Sequence, residues 1–468
     1  MTSVETVLPE NAAPSAHRDG NVLRWLAAYT ASLVGDSVYF VALGWSAQRA
    51  AGPTEVGLVM AAGALPRALL MLFGGVVADR FDPRRIVLGS DALRCLLILS
   101  VAAALAVTAP ALWILVSVAL VFGAVDSVFV PAVGALPPRI TPADQLARVT
   151  GMRSLSMRLS QIAGPPIGGL AMGLGGVPAT FAVAGTLFAL SLPLLLSVRL
   201  RPLAPHGADR AASGSAGADL LDGLRYIRRH RLIAPLVVTG AIVELGLTGT
   251  LNVGMVLLNA ERGWGPSGYG WIVGCFGTGA AASATLLAVA GWLPRAGLLM
   301  VGTLLAGCTG AAAIALVPAL WLAAVLAAAI GLSAGVFGSL NATLIQTAAA
   351  PAYLGRVTSV VMLTMVGLAP LSYPLVGAAI GAWGAAPVFV GCGALGGVGA
   401  LIALSSRAVR GAELPRRRKA VESAPDPDDE PKPGPSTHHT DESTYATDDS
   451  AYAANRSAAP RSYRAQGR

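Results

Sequence analysis

Residues 110–113 read Pro-Ala-Leu-Trp, and residues 318–321 read Pro-Ala-Leu-Trp again, 208 positions later. The same register carries outward from this pair. Arg148-Val149-Thr150 meets Arg356-Val357-Thr358, Gly123 meets Gly331, Val128-Phe129 meets Val336-Phe337, and Pro166 meets Pro374. Single matches are common in Ala- and Leu-rich sequence. Several in one register, with Trp, Pro and Arg among them, mark an internal repeat. Around these anchors the chain is a series of apolar runs, at 24–47, 54–78, 86–107, 110–133, 149–175 and 177–198, then 232–257, 266–291, 296–316, 318–343, 354–382 and 385–405. Each is long enough for an apolar helix to cross a bilayer, about 20 residues. Strands of a membrane barrel would be ~10 residues of alternating polarity, which is a different pattern. Six crossings repeated in one orientation imply two bundles related by an axis along the membrane normal. The predicted fold is an all-α membrane protein, with 12 transmembrane helices in two pseudo-symmetric six-helix bundles, 23–200 and 232–406.

Composition agrees. Of 468 residues, 54% are hydrophobic and 12% charged, and the mean hydropathy is +0.64. Between 23 and 406 stand 21 Arg, 12 Asp or Glu and no Lys, too little charge to cover a soluble surface of that size. The lysines, Lys419 and Lys432, do not follow a Gly, so the Gly-Lys of a phosphate-binding loop is missing. Cys95, Cys275, Cys308 and Cys392 stand singly in apolar runs, and all five His lie in polar segments. No metal site, disulfide framework or cofactor is expected. No nucleophile–base spacing points to an enzyme, and no nucleic-acid partner is expected.

Arginine sets the orientation. With the N-terminus in the cytoplasm, the even-numbered loops hold 15 Arg and the odd ones two, Arg49 and Arg262. The positive-inside rule then places both termini in the cytoplasm of a multi-pass plasma-membrane protein. Trp25 and Trp292 fall near inner ends, and Trp45, Trp113, Trp321 and Trp383 near outer ends, as an aromatic belt would place them. Residues 1–22 form a polar cytoplasmic tail with no removable signal peptide. The segment 201–231 is a cytoplasmic linker, small-residue-rich over 202–218. Over 219–231 it becomes amphipathic, and Leu220, Leu224 and Ile227 share a face suited to the inner membrane surface. Residues 407–468 are expected to be a disordered cytoplasmic tail.

Four charges stand out inside the apolar runs: Asp36, Arg67, Asp126 and Glu244. Charge at membrane depth costs several kcal/mol, so such groups usually face a water-filled cavity or a partner. Asp36 and Glu244 are 208 residues apart and therefore equivalent in the repeat. These four are candidates for substrate binding and proton coupling, with Arg67 able to neutralise Asp36 or Asp126. Asp91 and Arg94 are three residues apart and read as an intrahelical pair.

Between the second and third runs stands Gly75-Val76-Val77-Ala78-Asp79-Arg80-Phe81-Asp82-Pro83-Arg84-Arg85. This resembles the signature loop of the major facilitator superfamily, Gly-x-Leu-Ala-Asp-Arg-x-Gly-Arg-Arg. It matches at Gly75, at Asp79-Arg80 and at Arg84-Arg85, and departs at Val77, at Asp82 and by one residue around Pro83. The resemblance implies a conformational latch, with Asp79 set against the helix start near Gly355 and Arg356. In the fifth run, Gly164-Pro165-Pro166-Ile167-Gly168-Gly169 is similar to the superfamily's exporter motif, Gly-x-x-x-Gly-Pro-x-x-Gly-Gly, with Ser160 for the first Gly. Its small residues allow close helix contact, and Gly270, Gly274 and Gly277 are the facing candidates. Another motif, the Arg four residues before the Gly of the fourth crossing in drug–proton antiporters, is absent: that position is Ala119.

With Gly35-Asp36 and the basic stretch before residue 232, the whole resembles the enterobactin-exporter and macrolide-efflux branch. The resemblance implies a monomeric, proton-coupled exporter of a small amphipathic molecule such as a drug, antibiotic or siderophore-like product. An importer or lipid facilitator of the same fold, or a non-transporting receptor or scaffold acting through the tail, are the alternatives. Deleting 407–468 separates the last from the transporters.

Overall fold

A backbone in hydrocarbon must satisfy its own polar groups, so each apolar run closes its hydrogen bonds within a helix. The computed structural model describes residues 16–80, 82–201, 216–290 and 294–413. Among them there is no strand. The long helices are α1 (Gly20–Ala50), α2 (Pro53–Arg80), α3 (Pro83–Val107) and α4 (Leu112–Gly134). A helical stretch Leu146–Leu196 gives α5 (146–175) and α6 (177–196). Then come α7 (Ile233–Glu261), α8 (Gly265–Ala290), α9 (Ala296–Ile314), α10 (Leu320–Ala348), α11 (Leu354–Trp383) and α12 (Ala385–Ser405). Ten segments are long and apolar enough to cross a membrane. One of these holds both α5 and α6, and α2, 28 residues long, completes the set.

The break between α5 and α6 is at Gly176, whose φ is +69°, a left-handed conformation that costs a side-chain-bearing residue about 1–2 kcal/mol. The backbone NH of Arg201 bonds the carbonyl of Arg139 at 2.8 Å, so both ends of this stretch lie on one side. We call that side, where α1 begins, the near end, and the opposite side the far end.

The repeat is visible in the backbone. Ala111 and Ala319 cap α4 and α10 with nearly the same extended geometry. Gly176 and Gly384, 208 apart, make the two positive-φ turns into α6 and α12. A Cβ on Gly123 would overlap the Gly63 carbonyl where α4 crosses α2, and one on Gly331 would overlap the Phe276 carbonyl where α10 crosses α8. Overpacking of this kind costs about 1–3 kcal/mol. Gly123→Leu and Gly331→Leu should therefore each lower the thermal unfolding midpoint, whereas Gly134→Leu, at a site open to 4 Å, should leave it unchanged.

The two halves meet at their far ends along glycine seams. The first joins α2 to α11: a Cβ on Gly57 would lie 2.5 Å from the Tyr373 carbonyl, and one on Gly377 2.6 Å from that of Pro53. The second joins α5 to α8. The largest apolar core passes through these ends and draws residues from both halves.

Three expectations need correction. Trp113, Trp321 and Trp383 are 70–71% exposed at far ends, but Trp25 and Trp45 are buried, Trp25 stacked on Tyr29. They fill helix–helix contacts rather than a belt; Trp292 lies outside the described residues. The linker helix, Ala216–Arg229, lays part of its apolar face on protein. Ile227 is buried, Tyr226 stacks on Tyr353 at 4.4 Å, and Asp222 pairs with Arg356 at 2.8 Å. Leu224 stays exposed. The chain after 406 is not wholly without structure. A short helix, Arg407–Arg410, packs on α9, and Gly297 NH bonds the Ala412 carbonyl at 3.2 Å.

Candidate functional site

Asp36 of α1, Arg67 of α2 and Asp126 of α4 converge in the first half, and a fourth helix supplies the group that organises them. Arg94 of α3 is fully buried. Its Nη1 lies 2.8 Å from Asp36 Oδ1 and 4.0 Å from Asp126 Oδ1, and its Nη2 lies 2.6 Å from Asp91 Oδ1. The guanidinium sits 3.9 Å from the Phe129 ring centroid, a cation–π contact strengthened by exclusion of water. Asp91 accepts hydrogen bonds from Ser32 Oγ at 3.0 Å and Ser191 Oγ at 2.5 Å. Arg67, 41% exposed, meets Asp126 Oδ2 at 3.2 Å. Helix α2 carries Pro66 beside it, which removes a backbone donor.

Arg67 therefore pairs with Asp126, and Arg94 neutralises Asp36. The Asp91–Arg94 pair is more than intrahelical. A fork of five donors can serve several carboxylates at once. The cluster holds three carboxylates and two guanidinium groups, one negative charge in excess. A buried excess charge is costly, and one proton would cancel it.

Two cavities meet at Phe40, Arg67 and Asp126. The first, about 270 Å³, lies within the first half and runs past Asp36 and Gln161 to Tyr29, Val133 and Arg153 toward the near end. The second, about 190 Å³, lies between the halves and reaches Glu244, Thr248 and Tyr373. Asp36 and Glu244 thus line adjoining cavities, one on each half. Tyr39 stacks on Phe122 at 3.8 Å and walls the second cavity.

Helix α7 is not a regular α-helix where it passes this cavity. Glu244–Thr248 and Thr250–Gly254 are π-helical, a widened turn frequent at functional sites. Ser372 of α11 fills the widening: its Oγ donates to the Leu245 carbonyl at 2.7 Å and accepts from Gly249 NH at 2.9 Å. Thr248 Oγ1 donates to Glu244 Oε1 at 2.7 Å. The sequence carries no local sign of this, because the stabilising hydroxyl comes from another helix.

The small residues of α5 divide between two partners. Gly164 and Gly168 face Ser37 and Val41 of α1, whereas Gly169 faces the Pro266 carbonyl of α8 at 2.6 Å from an added Cβ. Gly270, Gly274 and Gly277 face Pro165, Pro166 and Gln161. Of the latch residues, Gly75, Asp79 and Arg80 end α2, and their side chains lie outside the described residues. Arg84 Nη2 bonds the Leu196 carbonyl at 2.7 Å, tying α3 to the end of α6. Arg85 is exposed, and Asp82 pairs with Arg139.

Long apolar helices in two repeated bundles, with a charged cavity between them, are the architecture that alternating-access membrane transporters use. The Major Facilitator Superfamily profile matches residues 25–253, just under half of the chain, and over that stretch the chain resembles that superfamily. It is 25% identical to the MFS-type transporter YfiS of Bacillus subtilis over 272 residues, 57% of this chain. It is 27% identical to the enterobactin exporter EntS of Escherichia coli over 291 residues, 61% of this chain. The matched stretches span 63% of YfiS and 67% of EntS. In fold it resembles the nucleoside transporter NupG, with TM-score 0.65 and 13% identity over 83% of this chain and 99% of that one. It also resembles an inward-facing bacterial homologue of the human lysosomal transporter Spinster, with TM-score 0.61 and 13% identity over 85% of this chain and 98% of that one.

Proposed function

We propose that this protein is a secondary active exporter of a small amphipathic molecule, driven by protons, in a bacterial plasma membrane with both termini in the cytoplasm. Drugs, antibiotics and siderophore-like natural products are the cargo classes. The protein works as a monomer, an antiporter of the efflux type. The observation that carries this reading is the cluster of Asp36, Asp91 and Asp126 against Arg67 and Arg94. Its single excess charge adjoins a cavity between the halves. A site that is neutral with one proton and anionic without it suits exchange of a proton for cargo.

Sidedness is supported by where the charge and the seams lie. Arg84, Arg139, Arg153, Arg199, Arg231 and Arg356 gather at the near end, while Arg49 and Arg262 stand at the far end, the asymmetry of a cytoplasmic near end. The far ends are packed together, and the cavity lining descends toward the near end. That is an inward-open state, in which an exporter would load its cargo. The name of EntS, an exporter, lends weight to the same reading.

The test is efflux of hydrophobic dyes and antibiotics from cells lacking their own pumps, with and without a protonophore. Efflux should collapse with the protonophore. Asp36→Asn, which removes one carboxylate from the cluster, should reduce proton-driven efflux at least about tenfold while leaving the folded yield near wild type. Efflux that persists without a proton gradient would overturn proton coupling. Accumulation in place of efflux would overturn export.

A further inference from the structure

The geometry points to an organic cation as the cargo, with Glu244 as the counter-charge for its positive group; this rests on the transport reading above. The two guanidinium groups of the central cluster each have a carboxylate. Arg67 has Asp126, and Arg94 has Asp36 and Asp91. Glu244 does not have the converse. Among the described residues no cation lies within ion-pair distance of it, and its hydrogen-bond partner is the neutral Thr248 hydroxyl. It lies on a π-helical turn that Ser372 holds open from α11.

The walls around Glu244 fit the rest of such a molecule. Tyr39, Phe40, Phe122 and Tyr373 supply ring surface and Met60 and Met365 supply thioethers. Aromatic faces attract organic cations by about 0.5–2 kcal/mol each, and Met packs adaptably against varied apolar shapes. The adjoining cavity offers the opposite chemistry. There Arg153 has a buried Nε without a partner, and Gln161 lines the same wall. These are donors for oxygen acceptors. The cargo is therefore an amphipathic cation: a charged amine or quaternary nitrogen on an aromatic body at Glu244, with oxygen-bearing groups reaching toward Arg153. Together the two cavities reach the lower part of the range for drug-sized ligands, roughly 300–1,000 Å³.

The test is direct binding to the full-length protein in lipid nanodiscs, with three probes of one shape: the cation N-methyl-phenylpyridinium, neutral methylbiphenyl and anionic biphenylcarboxylate. The cation should bind at least about tenfold more tightly than either of the others. Glu244→Gln should erase that preference, and Glu244→Asp should keep it to within a few-fold, which separates loss of charge from loss of fold. Asp222→Asn, in the linker helix, should leave all three affinities unchanged. Equal or tighter binding of the anion, no binding of the cation, or an unchanged cation affinity in Glu244→Gln would overturn the assignment. Proteoliposomes separate this failure from failure of the transport reading. Gradient-driven movement of the neutral or anionic probe without the cation would refute the cation site alone, and movement of none of the three in either direction would refute transport.

Discussion

Replacing Arg94 with Met should cost about 3–5 kcal/mol of folded stability and abolish transport. Removing one partner of a buried charge network leaves the others uncompensated, and that is the cost of doing so. Here Asp36 would lose its 2.8 Å partner and Asp91 its 2.6 Å partner. The Phe129 ring would lose the guanidinium above it. Arg94→Lys should recover part of the loss, since an ammonium keeps the charge without the planar fork. Adding Asp91→Asn to Arg94→Met should recover stability but not transport, because Asp36 and Asp126 would still lack their shared cation. Unfolding in detergent and efflux in cells check the two halves of this expectation. A loss of stability below about 1 kcal/mol would show that Arg94 is not the centre of the cluster.

The second large effect lies at the far-end seams. Gly57→Val combined with Gly377→Val should hold the far ends of α2 and α11 apart. Added Cβ atoms there would fall 2.5 Å and 2.6 Å from opposing carbonyls. Carbonyls fixed in helices cannot yield as a flexible side chain would. A penalty of about 1–3 kcal/mol at each site shifts a two-state balance by roughly 5–150-fold. Each half keeps its own helix crossings, so the variant should fold. It should transport at least about tenfold more slowly and expose far-end cysteine probes to water-soluble reagent. Wild-type transport in that variant would mean that the seams do not gate the far end.

Much of the architecture was legible in the sequence. The repeated Pro-Ala-Leu-Trp starts the same helix in each half, and the runs 149–175 and 177–198 part at Gly176, because only Gly turns there without strain. That Asp36 and Glu244 both line the interior followed from the price of charge at membrane depth. Arg94 did not emerge as the hub. Its three-residue spacing from Asp91 offers a sufficient local partner, and the contact with Asp36 is made across helices, where spacing says nothing. The π-helical part of α7 was hidden for the same reason, because Ser372 lies more than a hundred residues from the turn it fills. Trp25 and Trp45 misled because a Trp near a helix end can serve lipid or core equally. The apolar face of the linker helix is visible in its own sequence, but its partners Tyr353 and Arg356 are not, because they come from α11.

Two halves that rock about a central site must change the spacing of their far ends. The most direct measurement is the distance between spin labels at the exposed far-end positions Arg49 of α1 and Trp383 of α11. The protein would be in nanodiscs, native cysteines replaced, with and without N-methyl-phenylpyridinium. A short distance like that of the packed seams and a second, longer one are expected, with the cation changing their proportions. A single distance, unchanged by ligand and by pH, would contradict the rocking motion.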